Sequence, residues 1–204
     1  MIASKFARMI SMVFHPVLIP AYIVILLLTR GSLQLQTFPL PYKMTIAGVV
    51  ILTTLLFPLF ITWMLIRLNI ISSVFMSNRE ERVYPVLAMA VFYYLTYFLL
   101  KGISISLLFS YYMLGATLLA ILSLALNFYW KISLHAVAAG SFAGFFLGLS
   151  LNFGVNLYTE ILSGIVLAGI IGFARLKTES HHPAEIYSGF LMGFSVMAIL
   201  MFLL

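Results

Sequence analysis

The chain has 204 residues, 64% of them hydrophobic and only 8% charged, with a mean hydropathy of +1.16 and a formal net charge of +6. A soluble domain carries about 25% charged residues, so an ordinary soluble globule is excluded, and the apolar runs are too continuous for the alternating strands of an outer-membrane barrel. With no Cys and no Asp, thiol catalysis, thiolate metal sites, disulfides, aspartyl-phosphate intermediates and Asp-ligated Mg²⁺ sites are excluded as well.

What remains is an all-α, polytopic membrane helical bundle, because a helix is the simplest element that closes its own backbone hydrogen bonds in lipid. A single integral membrane domain over 1–204 is expected, since no linker is long enough to separate two. The scattered basic residues read as topology signals and contacts to anionic membrane lipids, and no nucleic-acid partner is expected.

In chain order, Lys5 and Arg8 lie on a short, mildly amphipathic lead. Pro16 and Pro20 interrupt the apolar core that a cleavable signal peptide would need. The first span is predicted over Met9 to Thr29, with His15-Pro16 as an interfacial His before a proline-shaped helix entry. A polar loop to Lys43 precedes a second span, Met44 to Leu68, in which Pro58 predicts a kink. Residues 69–84 read as a loop holding a first polar cluster, Arg79-Glu80-Glu81-Arg82, and Pro85 suits the first turn of the next helix. That helix, Val86 to Leu100, is short; a fourth span follows over Leu107 to Asn127.

Phe128-Tyr129-Trp130 marks a membrane interface, and Lys131-Ile132-Ser133-Leu134-His135 forms the second cluster. The fifth span, His135 to Leu151, carries Gly140, Gly144 and Gly148, a small-residue repeat that lets another helix approach closely. The sixth span runs from Leu157 to Ala174, and the seventh from about Ala184 to Leu204 with a Gly189/Gly193 pair. Between them lies the densest polar stretch of the chain, Arg175 to Glu185, with His181, His182 and Pro183. With seven spans, the ends that follow spans two, four and six share one membrane face. Those ends hold the three clusters.

The third cluster supports definite chemistry. With Pro183 as first helical residue, Glu185 falls in the first turn, where the helix dipole favours a carboxylate. The four-residue separation puts His181 and Glu185 on one face if the turn extends back to the histidine. A carboxylate bonded to one imidazole nitrogen leaves the other as a nucleophile or base, and Arg175 supplies a forked donor for phosphate oxygens. Each cluster alone also has a plain structural reading. His135 reads as a polar interface residue as readily as a catalyst, and Glu80 and Glu81 can simply neutralise Arg79 and Arg82.

The pattern Arg175-x5-His181-x-Pro183-x-Glu185 resembles the third signature of the type-2 phosphatidic acid phosphatase superfamily, Ser-Arg-x5-His-x3-Asp. Ile132-Ser133-Leu134-His135 resembles its second, Pro-Ser-Gly-His, and Arg79 to Pro85 loosely resembles its first, Lys-x6-Arg-Pro. The order matches, with 52 residues between Arg82 and His135. Ala174, Glu185, Leu134 and Ile132 depart from the pattern, as do Val83 after Arg82 and Phe75 at the place of the first-motif Lys.

The resemblance implies a lipid phosphate phosphatase or vanadium haloperoxidase-like fold, here a six-helix core plus one span. It implies a metal-independent lipid phosphatase with no cofactor: His181 as nucleophile, Glu185 orienting it, His135 as general acid and base, and Arg175, Arg82, Ser133, Lys131 and Arg79 handling phosphate. Phosphatidic acid, phosphatidylglycerophosphate and polyprenyl diphosphate are all open as substrates. The worn first and second motifs keep a second reading in view, a catalytically silent lipid-binding or scaffold protein. A transporter fits less well, since the charges gather at span ends rather than at mid-membrane. A place in the cell membrane is expected. The motif-bearing face carries eight Lys/Arg against three, which points to the cytoplasm, but removing the four site candidates leaves four against three. The superfamily more often works on the outer face.

Overall fold

In lipid, an unpaired peptide group costs several kcal/mol, roughly; the chain answers with helices throughout. The computed structural model describes residues 2–29, 38–72, 79–102 and 107–204, without the side chains of residues 2–4 and of Arg79. Helices α1 (Ile2–Val13), α2 (Ile19–Thr29), α3 (Leu40–Val50), α4 (Phe57–Arg67), α5 (Arg79–Lys101), α6 (Leu107–Asn127), α7 (Leu134–Phe153), α8 (Tyr158–Lys177) and α9 (Pro183–Phe202) contain no strand partner among the described residues. Seven helical segments among them are long and apolar enough to cross a membrane. The protein is a multi-pass helical membrane protein.

Helix α7 is the hub. One face packs along α9 through glycines from both helices. A Cβ on Gly140 would overlap the Phe190 carbonyl, one on Gly144 the Phe194 carbonyl, and one on Gly193 the Val137 carbonyl; at Gly148 it would lie 2.5 Å from Ala198 O. Contacts that advance in the same direction along both helices mean that α7 and α9 run parallel, so their N-termini lie side by side. The Ser133 N–H donates to Glu185 O at 3.2 Å and ties the two starts together. On another side Gly164 of α8 faces Phe142 and Ala143. Phe142, Phe145, Phe146 and Leu149 join Tyr112 of α6 and Ile23 and Leu27 of α2 in the main core.

The first span is not one helix. Pro16 disfavours helical backbone at the residue before it, and His15 is extended (φ −65°, ψ 139°), capping a 3₁₀ turn over Pro16–Leu18. Helix α1 therefore ends at Val13 and packs separately, with Ala7 and Ile10 against Ala139, Ile171 and Ala174. At Pro58 the helix switches register just upstream, into a π-helical stretch over Ile51–Leu56 in which the Phe57 N–H donates to Leu52 O. That is how the missing proline N–H is absorbed. Thr96 of α5 packs into this stretch, its hydroxyl 2.6 Å from that of Thr53.

The expected start of the third span is overturned. Helix α5 begins at Arg79, so the first cluster sits on a helix and Pro85 lies inside it rather than in its first turn. Glu80 and Glu81 in the first turn favour the positive end of the dipole there. Reading 86–127 as two spans holds, as α5 and α6.

Candidate active site

Each site residue sits where a helix begins or ends on one face of the bundle. Helix α8 closes on a Schellman turn: the Glu179 N–H donates to Leu176 O, the Ser180 N–H donates to Arg175 O, and Glu179 is left-handed at φ 52°. The chain then reaches His181 and enters α9 through Pro183. Glu185, third in that helix, turns back on the entry. Its Oε2 accepts the His182 N–H at 3.2 Å and lies 2.7 Å from His181 Nδ1. This satisfies one of the orphan amides at the helix start. It also fixes the tautomer of the buried His181 ring: the proton is on Nδ1, and Nε2 keeps its lone pair. Burial, helped by the positive fields of Arg175 and Arg82, pushes the His181 pKa down to about 4 against the opposing pull of Glu185. At neutral pH the ring is uncharged.

His135, second residue of α7, has its Nε2 3.0 Å from Ser11 O. A carbonyl only accepts, so Nε2 carries the proton and Nδ1 is bare in the neutral ring. That carbonyl is available because α1 unwinds there: the His15 N–H, its normal partner, donates to Met12 O instead.

Arg82, His135, Arg175 and His181 border one cavity of about 100 Å³, together with His15. Arg175 Nε is buried with no hydrogen-bond partner among the described residues. A buried guanidinium nitrogen without a partner is costly unless an anion completes it. The cavity adjoins two others through shared lining. One, about 730 Å³, is shared through His15, His135 and Arg175 and adds Arg8 and Lys177. The other, about 260 Å³ and almost wholly apolar, is shared through His15, Pro85 and Met89 and adds Leu55, Leu59 and Met12.

Three candidates do not border the cavity, Glu185 among them, which acts on it through the His181 ring. Ser133 is fully buried, its hydroxyl unpaired among the described residues, and it does not border the cavity; its backbone N–H makes the tie to Glu185. Lys131 does not border it either, although its charge is close enough to act on Glu185. The Arg79 side chain lies outside the described residues. No group of three or more His or Glu side chains among the described residues is placed to hold a metal ion, and a set of histidines and arginines with one carboxylate suits an anion.

His15, read from the sequence as an interfacial residue at a helix entry rather than a catalytic one, borders this cavity. Its ring meets His135 edge to face, centroids 5.4 Å apart. The available signal was positional: His15 lies near the start of a span that begins on the same face as the three clusters. No protein-family model matches the chain, and neither a curated protein nor a solved structure matches it.

Proposed function

We propose that the protein is an integral membrane phosphatase that removes a terminal phosphate from a lipid through a phosphohistidine intermediate. One observation carries this reading: the neutral His181, its Nδ1–H held by Glu185 at 2.7 Å, borders the same small cavity as Arg82 and the incompletely bonded Arg175. The apolar cavity next to it supports a substrate with a hydrocarbon tail rather than a soluble phosphate ester.

The His181 Nε2 lone pair attacks phosphorus; a P–N bond forms and the P–O bond to the lipid alcohol breaks. The neutral His135, its Nε2–H on the Ser11 carbonyl, takes on its bare Nδ1 the proton that a singly protonated phosphate group brings and passes it to the leaving oxygen. Its bare Nδ1 then takes a proton from water as the water oxygen attacks phosphorus. The P–N bond breaks, and inorganic phosphate leaves with the proton that His135 took from water, so that the neutral ring is restored. Arg82 and Arg175 neutralise the charge that spreads over the phosphoryl oxygens. Glu185 stays ionised and keeps the tautomer. Lys131 and Ser133 act from outside the cavity, through Glu185 and its helix start. A position in the cell membrane fits a lipid substrate.

The test is phosphate release from a panel of lipid phosphates and diphosphates by the purified protein in detergent. His181→Ala is expected to lower the rate by about a thousandfold or more, and wild type given radiolabelled substrate should trap an alkali-stable, acid-labile label that the variant lacks. Release by His181→Ala at the wild-type rate would remove the nucleophile assignment.

A further inference from the structure

His15 is a fixed ring with one nitrogen spoken for. The Val17 N–H donates to its Nδ1 at 3.4 Å as the cap of the 3₁₀ turn. In either charge state, therefore, Nε2 carries a proton. Among the described residues no protein acceptor takes that N–H, and the ring borders the cavity that holds Arg82, Arg175, His135 and His181. The ring also packs edge to face with His135, centroids 5.4 Å apart.

We propose that His15 is a substrate-binding residue whose Nε2–H donates to an oxygen of the phosphoryl group held between Arg82 and Arg175. The inference rests on the phosphatase reading and deepens it. Lys131 and Ser133, the donors expected from the second cluster, do not border the cavity, so a neutral, preoriented donor from the first span completes the ring of groups around the anion. Two guanidiniums supply charge; a fixed N–H adds direction. Because His15 also borders the apolar cavity, the same residue sits where the phosphate end of a lipid meets its tail.

Orthovanadate, an oxyanion with phosphate-like geometry, is the probe, titrated against the whole protein in detergent alongside the KM for a lipid phosphate. His15→Phe keeps an aromatic edge against His135 but has no N–H; His15→Gln places an amide N–H near the position of Nε2. The Phe variant should bind vanadate about 10- to 100-fold more weakly, the usual range for a hydrogen bond to a charged group, and raise KM in step. The Gln variant should recover most of that loss, with melting temperatures matching wild type. Wild-type affinity in the Phe variant, or equal loss in Phe and Gln variants, overturns the role of His15 and leaves the phosphatase reading standing. Failure of the wild type itself to bind vanadate and to release phosphate sinks both.

Discussion

A single carboxylate oxygen, Glu185 Oε2, both stabilises the start of α9 and sets the proton position on His181. Glu185→Gln separates the two roles. An amide can still accept the His182 N–H, but its NH₂ can donate to Nδ1 and so move the ring proton to Nε2, where it blocks attack. The expected loss in kcat is about 10³- to 10⁴-fold, by analogy with the wrong-tautomer effect in serine protease triads, with little change in melting temperature. A rate within tenfold of wild type would show that tautomer control is not what Glu185 supplies. The acid limb of kcat/KM follows from the same ring. A free imidazole protonates as pH falls through 6.5, but His181 does so only near 4. The proposed nucleophile therefore stays unprotonated at pH 5, and its contribution to stability is whole above 6.5 and lost as pH falls through about 4. An activity profile whose acid limb is centred near 6.5 would contradict this for His181.

The glycine seam between α7 and α9 does at the level of helices what Glu185 does at the level of atoms. Gly144→Ala puts a methyl onto the Phe194 carbonyl, and overpacking of this kind costs about 1–3 kcal/mol. Gly169→Ala on α8, with nothing within 4 Å of the added carbon, should be neutral or stabilising by up to about 1 kcal/mol, the ordinary helix preference for Ala. Melting in detergent distinguishes them, and equal behaviour would mean that the seam is not under close contact. The four-residue spacing of glycines was legible as a site of helix approach, because a small-residue stripe has no other physical use on a buried face. Its partner was not, since nothing in Gly140, Gly144 and Gly148 says which helix arrives or in which direction. Pro85 misled for a related reason: proline is familiar at a helix start, yet Glu80 and Glu81 were the stronger sign that the helix had already begun. His15 was hidden in the same way, its role depending on a helix break and a hydrogen-bonded tautomer that no spacing reports.

At the scale of the molecule, composition alone gave the helical membrane class, since 8% charged residues leave no other solvent for most of the surface. Span parity was enough to expect Arg82, His135 and Arg175 on one face, because an α-helix enters and leaves the bilayer on opposite sides. It was silent on cavity shape, which depends on where α1 unwinds. Parity also yields a topology test on a chain with no native Cys. A Cys at Tyr129, 85% exposed beside the site face, and one at Leu204, past the far end of α9, should react with a membrane-impermeant maleimide from opposite sides. Labelling of both from one side would break the seven-span count. Which of the two is reached in intact cells reports the side of the site.

The parallel run of α7 and α9 also has a consequence in time. α7 enters the membrane with its glycine groove unfilled, and α8 must cross back before α9 can lie along that groove in the same direction. His181 and Glu185 meet His135 only when this last described helix is seated. During synthesis the chain thus passes through a stage with Arg82, His135 and Arg175 present but the proposed nucleophile not yet in place, so the site is completed only when α9 docks.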